Sequence, residues 1–417
     1  MTDYFDADET LEPREREAQL FQRLPQHLKT AIAAAPGLAE WLKGVDPEDI
    51  TSREALARLP VLHKSRLMEL QAERPPFGGF VDETRLGGRR TFMSPGPIWE
   101  PEADAGQARQ TARAFFAAGI RPGDRVYNAF AYHMTPGGFM LDAGARALGC
   151  TVFPAGTGNT DLQVDAAAAL RPKVYCGTPD FLKVLLDRAK ERGRDLTSFR
   201  LGLVSGGALF PSLRHEYRQR GVSVLQCYAT AEFGVIAYET ADANGKPHPG
   251  MVVNEDLIIE IVRPGTGDPV PEGEVGELVV TNFSSIYPMV RLATGDLTAV
   301  LPGQAPCGRT NTRIKGWMGR ADQRTKVKGM FVDPRQIGEI ARRHPEIARS
   351  RLVVTRRDER DHMTLMVVPK EGAKIEISAV ETTLREITKL SGDVLLVTAD
   401  QLPNDGKVIS DERDYSR

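Results

Sequence analysis

The chain has 417 residues, and 54 Lys plus Arg against 56 Asp plus Glu leave a formal net charge of −2, which offers no strong field to nucleic acid or to an anionic membrane. Hydrophobic residues at 41% and charged residues at 26% exclude collagen, disorder and coiled coil, and predict a globular protein with one large core and a smaller one. No run of about 18 apolar residues is present, and the start, MTDYFDADETLEPREREAQL, is acidic where a secretory signal needs a basic flank, so a cytoplasmic protein without a membrane partner is expected.

The first 75 residues read as charged amphipathic helices, with Leu20, Leu24, Leu28 and Ile32 at helical spacing and Pro75 and Pro76 stopping the pattern. A further helix is expected over 103–119 (ADAGQARQTARAFFAAG), then a turn at RPGDR and an apolar run, VYNAF, of strand length. Short apolar runs follow at 151–154, 174–176, 201–204 and 223–225, separated by helical stretches such as DFLKVLLDRAKERG and PSLRHEYRQRG. Buried strands alternating with helices imply a mostly parallel sheet covered on both faces. After about residue 250, LIIEIV, a turn-rich GTGDPVPEGEVG and ELVVT read as an antiparallel β-subdomain. Beyond Gly319 a helix near 334–343, strands at RLVVTR and MTLMVV, a helix in VETTLREITKL and a strand at VLLVT suggest a small two-layer α+β domain. The fold class expected is therefore α/β, with domains at 1–320 and 321–417. Cys150, Cys176, Cys227 and Cys307 lie far apart with no CxxC pair, which favours buried apolar cysteines over a disulfide framework.

Three blocks carry chemistry. QCYATAE lies at the C-terminal end of a predicted parallel strand, where open α/β sheets bind ligands. There Tyr228 can cover a base, Thr230 can bond a phosphate and Glu232 can hold Mg2+, although a loop acid is more often a solvated one. In MVRLATGDLTAV, Arg291, Gly295 and Asp296 precede an apolar run, and an Asp on a tight Thr-Gly turn can accept two hydrogen bonds from a ribose diol; the bland alternative is a turn-capping Asp. GRADQRTKVKGMFVDP combines Arg320, Asp322, Lys326, Lys328 and Gly329 at the domain junction, or else is a charged linker.

Jointly, in this order, these blocks resemble the adenylate-forming (acyl-CoA synthetase-like) superfamily, and within it the phenylacetate-CoA ligase group. SGGAL at 205–209 resembles the group's adenine-side loop (Ser205, Gly206, Gly207, Ala208), YATAE its Tyr-x-x-Thr/Ser-Glu signature, EGEVGELVVT its Gly-Glu-Leu hairpin, and RLATGD its ribose-binding turn. GRADQRTKVKGMFVDP is similar to the hinge, with Arg320 and Lys328 on the nucleotide, and Lys407 in NDGK to the lysine near the C-terminus. The resemblance implies that a carboxylate attacks the α-phosphorus of ATP, giving an acyl-adenylate and pyrophosphate, after which the thiol of coenzyme A displaces AMP. It further implies that Lys407, with Mg2+ on Glu232, meets the developing charge, and that a mobile C-terminal domain rotates about Asp322 between the half-reactions.

One departure stands out. The group's phosphate loop, a Ser/Thr/Gly-rich run ending in Gly-Lys, should fall between 90 and 103, but this chain has TFMSPGPIWEP. Only Ser94 and Gly96 remain, Pro95 and Pro97 remove two N–H donors, and the lysine is missing, so AMP or an adenylate is better supported as ligand than ATP's β- and γ-phosphates. For the acyl pocket the resemblance points to Tyr132, His133 and Phe139, with His133 partnering the carboxylate or else simply packed. His248 and Cys307 fall where some relatives hold a metal, but two ligands are too few for Zn2+. The leading reading is an ATP-dependent ligase of an aryl or other small carboxylic acid with coenzyme A. The alternative is a catalytically weakened protein that binds AMP, an acyl-adenylate or an acyl-CoA; transfer to an amine is a third. Partners expected are the acid and coenzyme A, not nucleic acid, with a homodimer left open.

Overall fold

A computed structural model describes residues 3–102, 104–321, 325–357, 359–402 and 408–413. The chain divides into two compact units, residues 1–209 with 214–318, and residues 210–213 with 319–417.

The first unit is built on the alternation of apolar runs and helices. Its nine-stranded sheet runs Val300–Leu301, Arg313–Ile314, Met251–Val253, Gly234–Tyr238, Ser223–Thr230, Leu201–Val204, Val174–Gly177, Arg125–Asn128, Thr151–Pro154. The last five pair in parallel, as expected for strands joined by helical crossovers; the first four add antiparallel partners that the sequence did not reveal. Val174, Tyr175 and Cys176 are fully buried, whereas Thr151–Pro154, the edge strand among the described residues, is largely exposed. Ser223–Thr230 runs five residues beyond its short apolar core, carrying Tyr228 and Thr230 to the end of the sheet.

A second, four-stranded sheet orders Leu62–His63, Leu292–Thr298, Gly276–Asn282 and Leu257–Val262, the last two pairing antiparallel as the hairpin pattern predicts. Leu62 and His63 pair in parallel with Leu292 and Ala293, which ties the amino-terminal helices to the strand bearing Asp296. Among those helices, Pro13–Ala34 buries Leu20, Leu24 and Leu28 on one face, and each fully buried leucine stabilises by roughly 1.5–3 kcal/mol.

The extreme amino-terminal strap is held by charge. Glu9, 1% exposed, accepts from Arg309 Nε at 2.6 Å, Tyr238 Oη at 2.7 Å and the Phe5 N–H at 2.5 Å. Arg113, equally buried, donates to Asp6 Oδ2 and Asp8 Oδ2 at 2.8 and 2.9 Å. Arg291, grouped above with the ribose motif, is another buried clamp: its guanidinium bonds Glu260 at 3.0 Å, the Ala57 and Gly267 carbonyls at 2.8 Å each, and the Leu59 carbonyl. All four cysteines are free and buried.

The second unit has a four-stranded sheet, Asp393–Leu396, Arg360–Pro369, Ile347–Arg357 and Ile409–Asp411, with helices Pro334–Arg343 and Ile377–Thr388. Ile337, Ile340, Val380 and Leu384 from the helices meet Leu352, Val354, Leu365 and Val367 from the sheet in one core. A hairpin, Thr325–Val327 with Met330–Val332, precedes it. Among the described residues no helix is long and apolar enough to cross a membrane.

Candidate active site

At the C-terminal end of the parallel strands the SGGAL loop is stitched to its neighbour. Ser205 Oγ donates to the Cys227 carbonyl at 2.8 Å, and the Leu209 N–H to Gln226 Oε1 at 2.9 Å. Gly206 takes φ +74°, a left-handed turn that suits glycine, while Gly207 and Ala208 stay at least partly open to solvent.

Asp296 sits in the strand Leu292–Thr298 instead of a tight turn. Glu277 pairs with Leu297 and Val279 with Ala293, so Thr294, Gly295 and Asp296 all lie opposite Leu278 alone. Such a bulge re-aims its side chains. It is pinned by the Gly295 N–H on Glu277 Oε1 at 3.1 Å and by Thr294 Oγ1 on the Leu278 carbonyl at 3.0 Å. Asp296 Oδ2 accepts from Tyr228 Oη at 2.6 Å and Oδ1 from Trp317 Nε1 at 3.1 Å. Trp317 is held there because its neighbours lie along the same strand, the Met318 N–H bonding the Leu297 carbonyl at 2.9 Å and Thr298 Oγ1 the Gly316 carbonyl at 2.6 Å. A carboxylate offers only acceptors, which is the chemistry a ribose diol's two hydroxyl donors require.

Glu232 differs most from its expected setting. It is buried, not solvated, and Lys64 Nζ lies 2.9 Å from its Oε1 and 3.0 Å from its Oε2. Beside this pair is Glu100, fully buried, whose carboxyl is pushed up to about 8 first by burial and then by the charge of Glu232, with Lys64 partly opposing the rise. Tyr287, on the same cluster, has its phenol raised by burial and by both carboxyls. Lys64 hydrogen-bonds Oε2, whereas Oε1 is buried with no hydrogen-bond partner, an acceptor that a cation such as Mg2+ would satisfy. Thr230 Oγ1, two residues earlier, is buried without a partner and is a free hydroxyl for an incoming oxyanion.

Where a phosphate loop was sought, Thr91–Ser94 and Ile98–Pro101 form a two-stranded hairpin turning at Pro95, Gly96 and Pro97. Ser94, next to that turn, gives its Oγ to Glu100 Oε1 at 2.6 Å and its N–H to Oε2 at 3.3 Å. The hairpin is anchored by a two-way bond between Gln71 and the Trp99 backbone, 2.8 and 2.9 Å.

The residues expected around the acyl group divide. Tyr132 and Phe139 are half-buried and packed edge to face at 5.1 Å, Phe139 stacking on Phe92 and under the Arg90 guanidinium. Tyr132 Oη accepts from Asn128 Nδ2 at 2.7 Å and donates to Asp142 at 3.0 Å; burial, then that acid, raise its phenol. His133 is exposed. Arg320 and Lys328 belong to the second unit, Arg320 lying 5.4 Å over the Phe331 ring and the Lys328 N–H bonding Asp361 at 3.0 Å. Asp322 and Lys407 lie outside the described residues. His248 Nδ1 is 3.0 Å from Thr240 Oγ1, and among the described residues no cluster of three or more His, Cys, Asp or Glu has metal-site geometry.

Sequence reasoning missed Lys64, Glu100 and Trp317. For Lys64 a signal existed: it opens the helix Lys64–Glu73, and a cation at a helix N-terminus opposes the macrodipole, so a carboxylate partner was to be sought. For Glu100 and Trp317 the local sequence holds no such signal.

Comparison with known proteins places this geometry in context. The AMP-binding enzyme family profile matches residues 131–285. The phenylacetate-coenzyme A ligase of Pseudomonas putida is 33% identical over 81% of this chain and 80% of its own length, and that of Thermus thermophilus 31% identical over 82% and 76%. Among solved structures, a 2-hydroxyisobutyryl-CoA ligase with its acyl-adenylate and CoA superposes with a TM-score of 0.84 at 26% identity, covering 99% of this chain and 93% of that one.

Proposed function

Because this chain belongs to the phenylacetate-CoA ligase group of adenylate-forming enzymes, we propose that it is an ATP-dependent ligase that activates an aryl or other small carboxylic acid and passes it to coenzyme A. The acid's carboxylate attacks the α-phosphorus of ATP and pyrophosphate leaves; the thiolate of coenzyme A then attacks the acyl carbon and AMP leaves. The observation that carries this reading is the Asp296 carboxylate, held by Tyr228 and Trp317 at the strand ends beside SGGAL. In it, Asp296 receives the ribose hydroxyls, Tyr228 covers the base with Ser205, Gly206, Gly207 and Ala208 lining its edge, and the Thr230 hydroxyl donates to the α-phosphate. Tyr132, His133 and Phe139 border the acyl group, the exposed His133 being free to turn toward a carboxylate. Arg320, Lys328 and Lys407 reach the nucleotide from the mobile second unit through the Asp322 hinge. ATP and coenzyme A are cytoplasmic pools, and we place the protein there, away from nucleic acid and membrane.

The test is pyrophosphate release from ATP across a panel of aryl and short aliphatic acids, with and without coenzyme A. Release with none of them overturns the ligase reading. At the binding step, Asp296→Ala should weaken AMP by about 1–3 kcal/mol, since it removes a charged acceptor of hydroxyl hydrogen bonds. Trp317, bonded to that carboxylate, supplies the fluorescence readout. Unchanged AMP affinity in a folded variant removes Asp296 from the site.

A specific observation favours the second reading, a binder with weakened chemistry. A phosphate cradle aims backbone N–H groups at the anion, whereas here two prolines remove donors and Ser94 turns both of its own to Glu100. AMP is therefore expected to bind at least as tightly as ATP in calorimetry with excess Mg2+. A clear rise in affinity from AMP to ATP would mean that other residues rebuild the cradle.

A further inference from the structure

Tyr132 is held by its hydroxyl as well as by its ring. The hydroxyl accepts from Asn128 Nδ2 at 2.7 Å and donates to Asp142 Oδ2 at 3.0 Å. Asn128 is itself fixed: it is 1% exposed, its Nδ2 also bonds the Gly138 carbonyl at 2.9 Å, and its Oδ1 accepts the Phe130 N–H at 3.2 Å. On the helix Gly137–Ala147, Asp142 follows Phe139 by three residues and Gly138 by four, so the three share a face. A Cβ on Gly138 would fall 2.5 Å from the Ala131 carbonyl oxygen and 3.0 Å from the Tyr132 ring, so this helix comes as close to the ring as glycine permits. Phe139 meets the ring edge to face at 5.1 Å. Beyond Tyr132 the Met93 N–H of the 91–101 hairpin bonds the Met134 carbonyl at 2.9 Å, which ties down the other end of the loop.

A phenol has one proton to donate, and here Asp142 receives it. Burial, then the Asp142 charge, raise the phenol, so the proton stays on the oxygen. We propose that Asp142 is a positioning residue of the acyl pocket, which acts through the Tyr132 hydroxyl to fix that ring as an apolar wall against the acid. The proposal rests on Tyr132 bordering the acyl group of a ligase substrate. It also names what the wall offers: with its proton spent on Asp142, Tyr132 has no donor for an incoming acid, which meets the ring and not the hydroxyl. Asp142 itself touches no substrate in this scheme.

The test is pyrophosphate release from ATP by the full chain with phenylacetate, benzoate and butyrate, followed by KM for the fastest acid and for ATP. Asp142→Leu should raise the acid KM about tenfold and leave the ATP KM within about threefold, because it strands a half-buried hydroxyl on the acyl side alone. Asp142→Asn should stay within about threefold for both, since its amide oxygen still accepts from the phenol. Tyr132→Phe should raise the acid KM about tenfold as well. In that background Asp142→Leu should add no more than about twofold, because no hydroxyl is left to hold. A folded Asp142→Leu with the unaltered acid KM, or one that raises both KM values alike, overturns the proposal. Additive losses in the double variant overturn it too, since Asp142 would then act by another route. Tyr132→Phe with the unaltered acid KM removes the proposal and leaves the ligase reading standing, and this nearly isosteric variant keeps the test decisive if Asp142→Leu does not fold. Pyrophosphate release with none of the acids removes the ligase reading and this proposal with it.

Discussion

Lys407→Ala should lower adenylate formation by about 10²–10³-fold, the usual loss when one preorganised cationic or hydrogen-bonding group is removed from a developing charge. The first half-reaction brings an anionic carboxylate against an anionic phosphate, so it needs positive charge at the moment of attack; the second, in which a thiolate displaces AMP from a neutral acyl carbon, does not need it at the same place. Conversion of a supplied acyl-adenylate to the thioester is therefore expected to stay within about threefold of the unaltered rate. Pyrophosphate release reads the first step, and thioester formation from synthetic acyl-adenylate reads the second. Equal loss in both would mean that the lysine does not leave between them, and the domain rotation proposed for this chain would fall.

The second large effect is on stability. Glu9→Ala is expected to destabilise the first unit by about 3–5 kcal/mol, because it leaves Arg309 buried with no carboxylate and withdraws the acceptor from Tyr238 Oη and the Phe5 N–H. Glu9→Gln should lose less, since an amide oxygen still accepts from the tyrosine and the backbone. Urea titration should show a lower midpoint at an unchanged slope. A loss below about 1 kcal/mol would show that the strap detaches without disturbing the core.

The parallel sheet was legible because five short apolar runs alternate with helices, a pattern with few packed solutions. The strand-end location of Tyr228, Thr230 and Glu232 followed from the same pattern, and family resemblance supplied their roles. What the sequence did not disclose was burial of charge. Glu232 read as a Mg2+ ligand or else a solvated loop acid, and neither reading signals a lysine 168 residues upstream, while Arg291 read as part of a binding motif when its guanidinium in fact clamps two carbonyl-rich turns and Glu260. The proline-rich turn at 95–97 signalled lost N–H donors, yet only the cross-strand geometry brought Glu100 onto Ser94. Long-range electrostatic pairs of this kind leave no periodicity, so no local rule finds them.

The charge-held amino-terminal strap also sets an order of events during synthesis. Glu9 leaves the ribosome well ahead of its partners, since Tyr238 follows 229 positions later and Arg309 300 positions later. At about 5–20 residues per second, the strap waits roughly 15–60 s for its arginine. Over that interval an acidic helix-forming segment is tethered to a sheet that is still being laid down, and its docking closes one of the longest loops in the chain. Nascent chains arrested before residue 309 should accordingly be clipped by protease within residues 4–12, and chains released after it should be protected there.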